Sequence, residues 1–176
     1  NGAAVGASVA TPSAAGTVFG STVTTYNNTA VGYNSLYGNT TGNSNTAVGY
    51  SALRLNTTGF YNTALGFYTL FQNTTGSYNT AVGYKALYGN TTGYYNVAIG
   101  FESQTNNSYG RRNVSMGLYA LRNNNTGNDN VAIGHYSMWN SFNVSQNTAV
   151  GSNTLQTNTT GTGNTAIGYY ALRQAY

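Results

Sequence analysis

The sequence predicts an all-β fold, a parallel β-solenoid (a β-roll or β-helix) with one 17-residue coil per repeat. Three observations predict it. Asn recurs every 17 residues without insertions, Gly follows four residues after each of these Asn residues, and the copies are rich in Gly, Asn and Thr, which are poor helix formers. Stacked coils would align identical residues at the spacing of paired strands, about 4.8 Å. The copies begin at Asn28, Asn45, Asn62, Asn79, Asn96, Asn113, Asn130, Asn147 and Asn164.

Each copy has the same column pattern when its residues are numbered from position 1 to position 17. Position 3 is Ala except at Ser115, position 5 is always Gly, and position 9 is Leu except at Gln104 and Met138. Positions 12 to 15 usually contain Asn-Thr-Thr-Gly. We expect short strands at positions 2 to 4 and at about 6 to 10, with a bend at the Gly and a turn at Asn-Thr-Thr-Gly.

Two apolar columns are predicted to supply the stacking and the core. In a strand, positions 3 and 4 point to opposite faces, so one face would pack inside the coil and the other against neighbouring chains. We therefore expect a homo-oligomer, with a trimer about a shared axis as its form. The columns are position 4 (Val31, Val48, Leu65, Val82, Ile99, Ile133, Val150, Ile167) and position 9 (Leu36, Leu53, Leu70, Leu87, Leu121, Leu155, Leu172).

The chain divides into two parts. Residues 1–27 contain irregular Gly spacings and Pro12, and we interpret them as degenerate coils, a cap or a segment donated to a neighbour. Residues 28–176 form the solenoid of nine repeats, the last of them incomplete. An incomplete coil offers a strand edge for pairing. We therefore expect end-to-end filaments in which residues 1–27 of one subunit cover residues 164–176 of the next.

Composition argues against several functions. Charged residues make up 5% of the chain and its basic residues are scattered, so we expect no nucleic-acid binding. No apolar run approaches the length of about 20 residues that a membrane span needs. Glu102, Asp129 and His135 are isolated and no Cys is present, so we expect no enzyme, no metal and no other cofactor. The low charge is typical of an extracellular location or of a cell or virion surface.

Asn-X-Ser/Thr triplets allow two interpretations. They are acceptors for N-linked sugar, which would make the chain a glycoprotein. They are also suited to turns and to a stacked amide ladder. Glycans on successive coils would lie only about 5 Å apart, which favours the ladder. The candidate acceptors are Asn39, Asn56, Asn73, Asn90, Asn106, Asn124, Asn143 and Asn158.

Aromatic residues concentrate at positions 6, 7, 10 and 17. They can form a structural ladder on the β surface, or a platform for sugar rings or for a neighbouring fibre. The candidate surface residues are Tyr33, Tyr50, Tyr84, Tyr68, Tyr119, Tyr136 and Trp139. A Thr column at position 2 suggests ice binding as a minor alternative, but Val97, Val114 and Val131 interrupt it.

The segments NTAVGYSAL (residues 45–53) and NTAVGYKAL (residues 79–87) resemble two groups of proteins. One is the head domains of trimeric autotransporter adhesins, and the other is the repeat shafts of phage or viral tail-fibre-like proteins that precede a self-cleaving chaperone. The resemblance covers residues 28–176, although the adhesin period is nearer to 14. It implies a left-handed β-roll, a homotrimer and an adhesive or shaft role.

These observations together predict an extracellular structural fibre or fibril subunit that assembles with itself through its apolar columns and exposed coil ends. The alternative is an adhesin or tail-fibre shaft that binds surface carbohydrate through stacked Tyr columns.

Overall fold

The computed structural model describes residues 27–175, which form a parallel β-solenoid and contain no helix. Coil 1 begins at Asn28, and each following coil begins 17 residues later. The strands are β1 Thr29–Val31, β2 Thr46–Val48, β3 Thr63–Leu65, β4 Thr80–Val82, β5 Val97–Ile99, β6 Val114–Met116, β7 Val131–Ile133, β8 Thr148–Val150, β9 Thr157–Asn158, β10 Thr165–Ile167 and β11 Gln174–Ala175.

Nine of these strands form one parallel sheet in the order β1 to β8 followed by β10. Each strand pairs with the equivalent residues of the next coil; Thr46 pairs with Thr63 and Ala47 with Ala64. The short strands β9 and β11 form a second parallel pair. The predicted all-β solenoid with 17-residue coils in register is therefore confirmed.

Small residues explain why the coil can be this narrow. The side chain at position 3 of the coil, which is Ala except at Ser115 and is the middle residue of each three-residue strand, points inward, and Ala47, Ala64 and Ala81 are fully buried. The position-9 side chains fill the remaining interior, so that Leu53 and Leu87 are also fully buried. A larger residue at position 3 would overfill the interior, because protein cores are already close-packed.

The predicted second strand at positions 6 to 10 is wrong, because a tight turn occupies these positions. Two of its residues have left-handed backbone: in coil 4, Lys85 has a φ of +52° and Leu87 a φ of +50°. The pair bends the chain inward and places the leucine in the core. Bonding between coils nevertheless continues there, since Leu87 N–H donates to Ser103 O at 3.0 Å and Gly89 N–H to Thr105 O at 2.8 Å.

The apolar core consists of two clusters. One runs from Leu36 to Ala98 and the other from Ala120 to Ala166. Between them lies Gln104, which is fully buried although it replaces the leucine of position 9. Its side-chain oxygen accepts a hydrogen bond from Ser115 Oγ at 3.3 Å, and its Nε2 donates to Asn96 Oδ1 at 3.3 Å. Gln104 and Ser115, two departures from the repeat in adjacent coils, therefore satisfy each other.

The position-4 column stacks in register but lies on the outer face of the single chain. Val48, Leu65 and Ile99 are each 37–38% exposed. The alternation of strand side chains explains this, since the neighbouring alanines occupy the interior. Of the two predicted core columns, the position-9 leucines lie inside and the position-4 residues do not. Leu172 is an exception at position 9, with 51% exposure in the last coil.

Candidate functional surfaces

A ladder of buried Asn side chains follows position 1 through the rod. Asn79 Nδ2 donates to Asn62 Oδ1 at 3.1 Å and to Gly93 O at 2.9 Å. Its own Oδ1 accepts the backbone N–H of Asn96 at 3.0 Å. The same contacts recur at Asn62 in the preceding coil. Each side chain joins three coils, which explains why no other residue occurs at this position.

A second buried ladder follows position 12. Asn73 Nδ2 donates to Asn56 Oδ1 at 2.7 Å and to Gly76 O at 2.9 Å, and Asn90 Nδ2 donates to Asn73 Oδ1 at 2.7 Å. The ladder continues to Asn107 at 2.9 Å and ends there, because the Oδ1 of Asn107 has no partner within the described residues. The amide ladder considered from the sequence is therefore present in coils 1 to 5.

Burial of this ladder limits where a glycan can attach. Six candidate acceptors lie inside the coil, at most 6% exposed: Asn39, Asn56, Asn73, Asn90, Asn124 and Asn158. The folded chain has no room for a sugar on these amides. The other two candidates, Asn106 and Asn143, are displaced from the column and are exposed. The triplet pattern does not distinguish these two from the other six, because it carries no information on burial.

The aromatic residues of position 6 form an exposed stack. The ring centroids of Tyr33 and Tyr50 are 5.1 Å apart, those of Tyr50 and Phe67 are 5.0 Å apart, and Phe67 leads on to Tyr84 at 5.6 Å. The interplanar angles of these pairs are 20° or less, so the rings cover each other's faces. Each of these four side chains is 37–42% exposed.

The remaining candidate surface rings do not form one continuous platform. Tyr68 contacts Tyr50 and Phe67 edge-on, at 5.5 and 4.4 Å between centroids. Tyr119 and Tyr136 are tilted by 37° at 5.2 Å, and Tyr136 meets Trp139 edge-on at 5.3 Å. These rings lie in adjacent columns, but the planes of neighbouring rings are tilted or nearly perpendicular to each other.

The outer face of the main sheet carries an uncharged surface that we call the apolar band, made of positions 2, 4 and 6 in every coil. Position 4 contributes an aliphatic side chain or Met from Val31 to Ile167, and position 6 contributes mainly Tyr and Phe. None of the three columns contains Lys, Arg, Asp or Glu. The Thr column proposed for ice binding lies within the band, where three Val residues interrupt it.

The acidic side chains are paired with arginines on the surface. Arg122 Nε lies 2.8 Å from Glu102 Oε2, and Arg112 Nε lies 2.6 Å from Asp129 Oδ1. His135 packs its ring edge-on against Tyr136. Within residues 27–175, no three His, Cys, Asp or Glu side chains come close enough together to bind a metal ion. The residues considered for acid-base chemistry are thus separate from one another.

Because the chain has only two carboxylate side chains, we expect its stability to depend weakly on pH. The hydrogen bonds from Arg112 lower the pKa of Asp129 below its usual value. Stabilisation by this pair is therefore complete above the unfolded pKa of about 3.9 and is lost as pH falls through the lower folded value. Melting temperatures at pH 7 and pH 5 should agree within about 3 °C. Asp129→Asn should remove this stabilisation above about pH 4 and flatten the decline below it. A large fall of the wild-type melting temperature between pH 7 and pH 5 would contradict the prediction.

Some predictions concern parts of the chain for which no geometry is described. Residues 1–26 and Tyr176 lie outside the described residues, so the cap or donated segment and its role in filaments stay predictions. No helix of residues 27–175 has the length and hydropathy to cross a membrane.

The fold and the two amide ladders define the class of the molecule as a tandem-repeat parallel β-solenoid. Comparison with known proteins adds no closer identification: no family model, curated protein or solved structure matches the chain.

Proposed function

We propose that the chain is a structural subunit of an extracellular fibre and that copies of it associate laterally through the apolar band. The carrying observation is that no member of the position-4 column is buried in the described rod: Val48, Leu65, Ile99 and Met116 are 37–38% exposed, and Val82, Ile133 and Val150 are partly exposed. Contiguous apolar surface of this kind marks an interaction site more often than scattered single residues do.

The dimensions of the band suit association side by side. Nine strands at about 4.8 Å give a band about 38 Å long. Burial of apolar surface contributes about 25 cal/mol per Å². An uncharged partner face is needed, because a charge placed against this band would lose water without gaining a partner. A second copy of the band satisfies this requirement, and a closed trimer is the arrangement that the resemblance to adhesin heads and fibre shafts implies.

The interior of the rod supports a mechanical role. Buried amide ladders and backbone bonds join successive coils, as between Asn62 and Asn79 and between Thr74 and Thr91. Each repeat of a solenoid is stabilised only by its neighbours, so such a chain resists bending when the contacts between coils are strong. The low charge of the chain, 5%, also suits lateral packing.

The proposal is tested by placing charge on the band. Leu65→Glu combined with Ile99→Glu should convert an oligomer into a single 18.5 kDa chain in sedimentation analysis. Circular dichroism should stay unchanged, because both side chains lie on the outer face. The matched control is Thr58→Glu with Thr92→Glu, which adds the same charge at exposed residues two coils apart away from the band and should leave the oligomer intact. A wild-type chain that sediments as a monomer at all concentrations would refute the proposal.

The aromatic stack of position 6 argues against the alternative function, which is carbohydrate binding through the Tyr columns. Sugars pack against the face of an aromatic ring, whereas the faces of Tyr50 and Phe67 are covered by their neighbours at about 5 Å. This geometry favours a protein partner for position 6.

A further inference from the structure

A groove lies on the side of the rod formed by positions 10, 11 and 13, away from the apolar band. It has a volume of about 470 Å³, which falls in the range of small-molecule sites. It extends from coil 3 to coil 7, which is about 19 Å at the spacing of paired strands. Its lining includes Gln72, Tyr88, Asn106, Asn123, Asn125 and Phe142.

Two small residues open the groove. Gly89 occupies position 11 of coil 4, between Gln72 and Asn106 of the adjacent coils, and adds no side chain to that column, where a Cβ would lie 2.8 Å from Thr105 O. At position 10 of coil 5, Thr105 replaces an aromatic or long side chain and is buried at 7% exposure. Thr105 turns inward, since its hydroxyl donates to Lys85 O at 3.3 Å.

We propose that this groove binds a neutral saccharide. The first reason is the aromatic surface that Tyr88 and Phe142 contribute to the groove. Phe71 covers one face of the Tyr88 ring, at 5.3 Å between centroids and an interplanar angle of 3°. The next residue of the column is Thr105, which presents no ring, and the Lys85 ammonium lies 5.7 Å from the centroid of Tyr88. Phe142, half exposed, stands at the far end of the groove. Partly exposed aromatic rings provide apolar surface against which the C–H groups of a sugar ring pack.

The second reason is the array of amides along the floor and wall. Asn106 Nδ2 donates to Asn123 Oδ1 at 2.8 Å, and Asn125 Oδ1 accepts the backbone N–H of Ser108 at 3.0 Å. These bonds hold the side chains in place. Within the described residues, the Gln72 amide and Asn125 Nδ2 make no hydrogen bond, so they remain available to a ligand. An amide offers a donor and an acceptor side by side, which matches adjacent hydroxyl groups of a sugar.

The third reason concerns charge, and it selects the kind of sugar. No residue that lines the groove carries a charge. The nearby guanidinium of Arg122 is engaged with Glu102 at 2.8 Å, and the Lys85 ammonium is held over the rings of Tyr84 and Tyr88, at 5.2 and 5.7 Å from their centroids. An acidic saccharide would lose hydration in this groove and would meet no cation on the lining itself. Neutral hydroxyl-rich ligands are therefore favoured over uronates and sulfated sugars.

The groove also coincides with departures from the repeat that the fold does not require. Position 13 is Thr in coils 1 to 4 and in coil 8, but it is Ser108, Asn125 and Phe142 in coils 5 to 7. Thr suits this position in the regular coils, because the Thr57 hydroxyl donates to Thr74 O at 3.0 Å in the adjacent coil. Binding accounts for residues that stacking alone leaves unexplained.

The experiment titrates the full chain with neutral tetrasaccharides (cellotetraose, maltotetraose, mannotetraose and chitotetraose), with tetragalacturonate as the acidic counterpart, and follows amide resonances by NMR. We expect at least one neutral tetrasaccharide to bind with shifts confined to coils 3 to 7. Asn125→Thr and Phe142→Thr restore the residue of the regular coils, so they should fold and each should weaken binding at least tenfold. Tyr78→Ser, which removes an exposed ring outside the groove and restores the residue of coil 1, should bind like the wild type.

Three results would overturn the proposal: no neutral tetrasaccharide binds, binding is unchanged in both groove variants, or tetragalacturonate binds equally well. The proposal is independent of lateral association, because none of its residues belongs to the apolar band.

Discussion

Replacing Gly83 by Ala should disrupt coils 4 and 5 and reduce the free energy of unfolding by more than about 4 kcal/mol. Gly83 has a φ of +128°, a backbone conformation that residues with a side chain rarely adopt. A Cβ at this position would lie 2.5 Å from Gly100 O and 2.8 Å from Gly100 C. Both are backbone atoms of the next coil, so the contact can be relieved only by separating the coils. The effect should therefore approach the whole stability of a typical domain, about 5–15 kcal/mol.

Chemical denaturation monitored by circular dichroism would measure the effect, and hydrogen exchange would locate it. The matched control is Gly163→Ala. Gly163 also has a positive φ, +71°, but a Cβ there would meet nothing within 4 Å. Its equivalents in other coils include Tyr95 and Arg112, with φ of +58° and +54°, so this position accepts a side chain. The control should change stability by less than about 1 kcal/mol. Equal effects of the two substitutions would contradict the argument.

Asn79→Ala should have the second-largest effect, a loss of about 3 kcal/mol or more. The substitution removes the side-chain bonds to Asn62 and Gly93 and leaves the buried backbone N–H of Asn96 without its acceptor at 3.0 Å. A buried donor without a partner costs about 1–3 kcal/mol, and the cavity adds to it. Asn79 is fully buried, so water does not replace the lost bonds at the surface.

The matched control is Asn43→Ala, because Asn43 is exposed and its side chain makes no hydrogen bond within the described residues. It should change stability by no more than about 0.5 kcal/mol. Thermal and denaturant unfolding of both variants would provide the comparison. If Asn79→Ala behaved like the control, the position-1 ladder would not stabilise the stacking of coils.

The period alone predicted the strands at positions 2 to 4 and their register, because identical residues at an unbroken interval can align in only one way. It also led to the interpretation of Asn-Thr-Thr-Gly as a ladder. The sequence did not show which Asn side chains point inward. That depends on the turn before them, which separates buried Asn107 from exposed Asn106 although the two are neighbours in the chain.

The turn at positions 6 to 10 could not be predicted, for a physical reason. Leu and Tyr are rarely left-handed, so Leu70 at a φ of +50° and Tyr68 at +54° contradict their local preference. Stacking against equivalent turns in adjacent coils stabilises this conformation, and a single copy gives no sign of it. The groove could not be predicted for a related reason, since Gly89 and Phe142 lie three coil spacings apart in the rod but far apart in the sequence. Repeat irregularities in coils 5 to 7 were its only signal.

The buried polar contact of Gln104 with Ser115 divides the rod's apolar interior between coils 5 and 6. The coils on the two sides of this boundary are joined by directional hydrogen bonds, whereas the coils within each half are held together by van der Waals contacts and the burial of apolar surface. When the rod is pulled along its axis, or when it melts from one end, we expect unfolding to pause at this boundary. The rod would then unfold in two stages, as two segments of about equal length.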